Sequence, residues 1–212
     1  ELCEKCKRAS CLFPSICKNL NNNHKPLLEL YKEVDRLPCL KKSFIGSGVR
    51  YDLILHKTNN DEINRINQEY AEELIKNHVS GRLKVAPEHT SNKVLATMRK
   101  PSFSLFREFK MLFDRVNSAA KLNQQIIPYF ISSHPSCELQ DMAELAVDTK
   151  KLNFQLEQVQ DFTPTPMTLA TEMYYTELDP YTMKPIFVAK TKQEKLSQRQ
   201  FFFWYKPEYK AQ

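Results

Sequence analysis

Apolar residues recur along this chain with two alternating periods. Over residues 25–37, Leu27, Leu28, Leu30, Tyr31, Val34 and Leu37 fall on one helical stripe. Residues 41–47 then read as a short buried strand. Helical spacing returns over 59–78 through Ile63, Ile66, Tyr70, Leu74 and Ile75. That helix has start chemistry, with Asn59 or Asn60 as cap and Asp61 and Glu62 in the first turn, near the positive end of the helix dipole.

The alternation continues with a strand at 82–86 and a helix beginning near Thr90, the expected cap, or Ser91. Pro101 ends that helix, and a longer one runs over 103–122 with Leu105, Phe109, Leu112, Phe113 and Val116 on one side. QIIPYFIS at 125–132 is the most apolar strand, and 137–152 is amphipathic through Leu139, Met142, Leu145 and Ala146. A strand at 154–160, a short helix at 168–174, a Pro- and Tyr-rich loop at 179–185, a small strand at 186–189 and a helical tail from Lys192 to Pro207 complete the reading. Strands separated by helices at intervals of roughly 40 residues imply crossover units and a parallel sheet, hence an α/β layer or barrel.

Composition narrows the functions this fold could carry. Only three glycines occur, Gly46, Gly48 and Gly81, so neither a dinucleotide fingerprint nor a P-loop is present. The longest apolar run, 201–205, is far short of the roughly 20 residues needed to span a bilayer. No charged-then-apolar leader opens the sequence, and a cytoplasmic location is expected. The net charge of +6 is spread among acids, which points to a solvated surface and argues against a nucleic-acid partner. The FFFWY run at 201–205 lacks an accompanying RNA-binding motif and reads as core or a partner contact.

Four of the six cysteines crowd the start: Cys3, Cys6, Cys11 and Cys17, spaced C-x2-C-x4-C-x5-C. Loops this short close cheaply, so four thiolates can converge on one ion or cluster. Such donors suit zinc and iron–sulfur clusters alike. A domain this large needs no disulfide staples, which favours a metal or cluster site over disulfides. The chain opens without Met and almost on the first of these thiols, which reads as a cut end.

Ligands of parallel α/β folds collect at the carboxyl ends of the strands. Past the four main expected strands lie Ser47, Gly48, Arg50 and Asp52, then Pro87, Glu88, His89 and Thr90, then Ser132, Ser133, His134 and Cys137, then Gln160, Asp161, Thr163 and Thr165. Four polar ends in a row suggest a polar pocket on one face. Taken singly, His89 and His134 read as caps or hydrogen-bonding residues rather than ligands or bases. His24, in an Asn-rich loop, reads as solvated. Glu88 and His89 are adjacent in an extended chain and point opposite ways, so they are no acid–base pair.

These strand ends carry a resemblance. The blocks CLFPSIC (11–17), SGVRYD (47–52), HVSGRLKVAPEHTS (78–91), PYFISSHPSC (128–137), EQVQDFTPTPMTLAT (157–171) and MYYTELDPYTM (173–183) are similar to the YgiQ-type radical S-adenosylmethionine proteins, across nearly the whole chain. The resemblance implies a full or partial (β/α) barrel. It also implies a [4Fe–4S] cluster, held by C-x3-C-x2-C after the first strand, whose open iron chelates S-adenosylmethionine and cleaves it to a 5′-deoxyadenosyl radical. C-x3-C-x2-C is absent here. On this reading the chain is the C-terminal part of the catalytic barrel, an α/β fold of mostly parallel strands lacking its first strands. Residues 1–24 are then a cysteine-rich segment, 25–190 the partial barrel and 191–212 a helical tail.

The resemblance also implies site roles. Lys84, Glu88 and His89 take the ribose-contacting position, Ser132 and Ser133 lie near the adenosyl group, and Gln160, Thr163 and Thr165 face the adenine. Ser47 and Arg50 line the first strand end, where the Arg50 guanidinium matches a carboxylate. Cys3, Cys6, Cys11 and Cys17 fit an auxiliary iron–sulfur cluster or a structural zinc. The implied partners are an unknown substrate, the missing N-terminal part of the polypeptide and an electron donor such as flavodoxin or ferredoxin, with no membrane. The fragment alone is expected to be inactive, and its sheet edge near 43–47 to be bare and prone to pairing. A second reading is a non-catalytic four-cysteine module that docks a partner or RNA.

Overall fold

Three strands, β1 (Arg82–Glu88), β2 (Gln125–Ser132) and β3 (Val159–Asp161), lie parallel in that order in a computed structural model that describes residues 3–157 and 159–209. Eight helices accompany them: α1 (Lys25–Val34), α2 (Tyr51–Leu55) and α3 (Asp61–Asn77) before the sheet, α4 (Asn92–Thr97) and α5 (Phe103–Ala120) between β1 and β2, α6 (Leu139–Lys151) between β2 and β3, and α7 (Leu169–Thr176) and α8 (Lys192–Gln200) after it. The α/β class and the small open parallel sheet agree with the alternating periods of the sequence. Among the described residues, no helix is long and apolar enough to cross a membrane.

Helix starts follow local chemistry. The Asn60 side chain accepts from the Ile63 N–H at 3.1 Å and opens α3. The longest helix, α5, buries Phe103, Phe106, Phe109, Phe113 and Val116, spaced three or four apart, on a single stripe. Each such phenylalanine contributes about 1.5–3 kcal/mol on burial. The stripe meets Leu83 and Val85 of β1 and Ile126 and Phe130 of β2 in one core with Leu74 and Ile75 of α3 and Met142 and Leu145 of α6.

The sheet is covered on one face. Along β1 the buried residues are Leu83, Val85 and Pro87, and along β2 they are Ile126, Pro128, Phe130 and Ser132. Register pairs Leu83 with Ile126 and Lys84 with Ile127, so the two strands alternate in step. Lys84 and Ala86 are exposed on the opposite face, with Ile127, Tyr129 and Ile131 half-buried beside them. Parallel sheets are ordinarily covered on both faces.

Three sequence expectations need correction. Residues 41–47 form no strand: Lys41, Lys42 and Phe44 are exposed, and the Ile45 N–H donates to the carbonyl of His78, past the end of α3, rather than to the sheet. The sheet edge therefore lies at β1, not near 43–47. The segment still passes β1, since a Cβ on Gly48 would stand 3.2 Å from the Lys84 carbonyl oxygen. Residues 186–189 also form no strand; Phe187 only accepts one bond from the Ser136 N–H, at 2.8 Å. The expected strand at 154–160 starts at Val159 among the described residues, because Phe154 still donates back to Thr149 at the end of α6; Gln158 lies outside the described residues.

Residues after Thr191 pack onto the body of the molecule. Thr191 and Glu194 cap α8 reciprocally, and Phe202, in the 3-10 turn Phe201–Phe203, is fully buried in the main core.

Candidate functional site

The carboxyl ends of β1 and β2 are polar, buried and bent. Glu88, Ser133 and Ser136 have φ of 68°, 61° and 75°, in the left-handed region that side-chain-bearing residues rarely occupy. Three such residues within two strand ends mark a locally strained, over-determined segment, as at many functional sites.

What holds them is a set of bonds between distant stretches of sequence. The Ser91 N–H donates to Nδ1 of His89 at 3.0 Å, so the neutral imidazole carries its proton on Nε2, which faces Cys137 Sγ at 3.5 Å. Burial pushes the His89 imidazole down to about 4 and the Cys137 thiol up to about 12. Both groups are neutral near pH 7, which makes the pair a packing contact and not a thiolate nucleophile. Below it, Asp141 accepts from Ser91 Oγ at 2.7 Å and from the Glu138 N–H at 2.9 Å, and pairs with Lys93 at 2.9 Å. Although burial alone would raise the Asp141 carboxyl, these hydrogen bonds hold it below its ordinary range.

Gln198 of α8 closes the β2 end. Its Oε1 accepts from the Ser133 N–H and its Nε2 donates to the Cys137 carbonyl, each at 2.7 Å. Next to it, Ser132 Oγ donates to Asp161 Oδ1 at 2.6 Å, and Arg199 pairs with the other oxygen at 2.8 Å. His134 donates from Nδ1 to the Pro135 carbonyl at 2.8 Å and meets Phe162 edge-on; burial lowers it to about 4.

The residues singled out in the sequence therefore divide in two. His89, Ser132 and Ser133 are buried inside the protein, and of their side-chain polar groups only Ser133 Oγ lacks a partner. Arg50 is engaged bidentately by Asp52, with Nε to Oδ1 at 2.9 Å. Thr90 does not cap α4; Ser91 holds that position, and the Thr90 hydroxyl is buried without a partner. Lys84, Gln160, Thr163, Thr165 and Ser47 are exposed, and Glu88, paired with Lys100 at 3.1 Å, is partly so. Cys137, Asp141 and Gln198 were not assigned roles from sequence, because their partners lie tens of residues away.

The four N-terminal cysteines are unpaired, and among the described residues no three of their sulfurs lie within 4.8 Å of one another. Their loop is anchored where Arg99 sits over the rings of Phe13 and Tyr181, at 5.8 and 5.5 Å. A cavity of about 690 Å³ lies elsewhere, among Ile54, His56, Gln68, Met111 and Arg115 of α2, α3, α5 and the loop after α2. It contains none of the strand-end residues.

Residues 157–210 match a family model described as a domain of unknown function, DUF3362. Over 207 residues the chain is 66% identical to a UPF0313 protein of Bacteroides thetaiotaomicron, and 59% identical to one of Porphyromonas gingivalis, covering 98% of this chain and 33% of each relative. A UPF0313 protein of Methanosarcina acetivorans is 44% identical over 202 residues, or 95% of this chain and 26% of that protein. The chain spans about a third of the length of the curated relatives it matches, and along that third it is similar to UPF0313 proteins from end to end.

Proposed function

We propose that this chain is the C-terminal part of the catalytic barrel of a radical S-adenosylmethionine enzyme of the YgiQ type, with the UPF0313 proteins as its family and an unidentified substrate. The observation that carries the reading is the parallel sheet left open on one face, with Lys84 and Gln160 on that face and strained polar turns at its carboxyl end. A barrel interior is such a face, and the rest of the polypeptide would complete it.

When bound to a reduced cluster, S-adenosylmethionine supplies a carbon radical. The residues here would bind and orient its nucleoside. Glu88 offers an acceptor for ribose hydroxyls, Lys84 and Gln160 offer donors and acceptors on the open face, and Thr163 and Thr165 offer hydroxyls in the exposed turn past β3. His89 and Ser132 act indirectly in this reading, since their polar groups already hold the strand ends in shape, and Arg50 is engaged by Asp52 at the start of α2. Cys3, Cys6, Cys11 and Cys17 would hold an auxiliary cluster or a zinc ion, and a flavodoxin or ferredoxin would deliver the electron.

The test is anaerobic turnover with reconstituted iron and sulfide and a chemical reductant, following 5′-deoxyadenosine release. The 212-residue chain alone is expected to release none. The fusion in which this chain replaces the matched third of the Bacteroides thetaiotaomicron relative is expected to release it, more slowly when Glu88→Gln is introduced. Release by the chain alone, or none by the fusion, overturns the reading.

A further inference from the structure

The C-terminal ends of α1 and α3 converge. Asp35 caps α1 and His78 caps α3, with Glu73 one turn before it. Carboxylates at the negative end of a helix dipole are unfavourably placed, and two of them here share one spot.

Between them stands an imidazole with one of its two nitrogens unpartnered. His78 is 1% exposed, and its Nε2 has no hydrogen-bond partner. Its Nδ1 lies 3.0 Å from the Ser43 carbonyl oxygen, which can only accept, so Nδ1 carries a proton. In the neutral ring the Nε2 lone pair then points toward Glu73 Oε1 at 3.5 Å and Asp35 Oδ2 at 3.6 Å. These separations are too long for hydrogen bonds. Three electron-rich atoms facing one another leave a place that a cation would satisfy.

We propose that Asp35, Glu73 and His78 form a divalent-metal site whose best-matched ion is zinc. All three ligand atoms lie within 4.8 Å of one another. Zinc bonds of about 2.0–2.2 Å in a tetrahedron place ligand atoms roughly 3.3–3.6 Å apart, which is the spacing of Nε2 from both carboxylates. The surrounding contacts are those of an oriented ligand set. The Ser43 carbonyl fixes the imidazole tautomer, Ser43 Oγ donates to the outer oxygen of Asp35 at 2.7 Å, and Asn77 donates to Glu73 at 2.8 Å. Tyr31 stacks on the His78 ring at 4.2 Å and fixes its plane. Access comes from an adjoining cavity of about 210 Å³ lined by Asp35, Leu40, Lys41, Lys42 and Asn77. Its two lysines are the competing source of positive charge, yet among the described residues Asp35 pairs with His78 and with neither lysine. Three protein ligands leave a fourth position for water or a small anion.

Zinc titration of the protein with Cys3, Cys6, Cys11, Cys17 and Cys39 all changed to Ser isolates this site from the accessible thiols. One equivalent is expected to bind, to shift the His78 ring nitrogen resonances and to raise the unfolding temperature. Glu73→Gln and Asp35→Asn, both at partly exposed positions, keep the fold and are expected to weaken binding by at least about tenfold, the loss that even an outer partner causes. Failure of zinc to perturb the His78 resonances, or undiminished affinity in both variants, overturns the proposal.

Discussion

His89 and Cys137, which are 48 residues apart in sequence, meet across the ends of β1 and β2 with Nε2 at 3.5 Å from Sγ, and both are fully buried. A histidine beside a cysteine ordinarily invites a nucleophile assignment. Here burial drives the two groups toward their neutral forms, so the contact ties one strand end to the next.

The first prediction concerns that thiol. With its protonated form favoured up to about 12, Cys137 is expected to resist a thiol reagent at pH 8 in the native protein. The other five cysteines, none of them buried, are expected to react in the metal-free, reduced protein. Counting titrated thiols before and after denaturation checks this, and a sixth fast-reacting thiol in the folded protein would sink it.

Acid should weaken the fold through the same pair of strand ends. His89 and His134 fall from an ordinary 6.5 to about 4 when folded, because burial penalises their charged forms. Above pH 6.5 both states are neutral and neither histidine makes stability depend on pH. As pH falls from 6.5 to 4 the unfolded chain takes up protons that the folded protein refuses, so stability is lost across that window. Each histidine can contribute a loss on the order of 3 kcal/mol. Urea midpoints should therefore drop between pH 7 and pH 5, and drop less in His134→Gln. An unchanged midpoint would refute the assignment.

Much of this architecture was legible in the sequence, and the failures have identifiable causes. QIIPYFIS, the most apolar of the expected strands, coincides with β2 residue for residue. KKSFIGS looked similar, but its apolar residues are too few to cover a face, and Ile45 instead joins the core from a loop. Helix α2, at five residues, is too short to show a period. The polar strand ends were found by their position, and the hydrogen-bonding reading of His89 and His134 matches their geometry. Gln198 was invisible because its partners, Ser133 and Cys137, are 65 and 61 residues away. His78 was read only as the end of a helix, since its carboxylate neighbours converge through packing of α1 on α3.

Gln198 gives a test of whether α8 is part of the site's scaffold. Changing it to Ala leaves the Ser133 N–H and the Cys137 carbonyl buried without partners. An orphaned buried group costs about 1–3 kcal/mol, so Gln198→Ala should destabilise by roughly 2–5 kcal/mol. Its neighbour Arg199 makes a partly exposed ion pair with Asp161, and Arg199→Ala should cost about 1 kcal/mol or less. Denaturation of both variants side by side decides, and equal losses would remove Gln198 from its structural role.

The open face of the sheet predicts self-association. Helices α5 and α6 connect the strands, and the core they share with α3 lies against Leu83, Val85, Ile126 and Phe130, whereas Ile127, Tyr129 and Ile131 face the other way beside exposed Ala86. Contiguous apolar area of that kind draws a partner surface, and β1 adds a strand edge next to it. Two copies laid face to face would bury the aromatic and aliphatic residues at little electrostatic cost near Tyr129, but would bring the Lys84 ammonium groups close together. Association is therefore expected to be weak, concentration-dependent and favoured by salt, which screens like charges. Sedimentation equilibrium should show it, and Tyr129→Lys, which adds charge to the centre of the face without touching the covered core, should return the chain to monomer with little change in thermal stability. A wild-type chain that stays monomeric at high concentration and high salt would show that this face is covered from within.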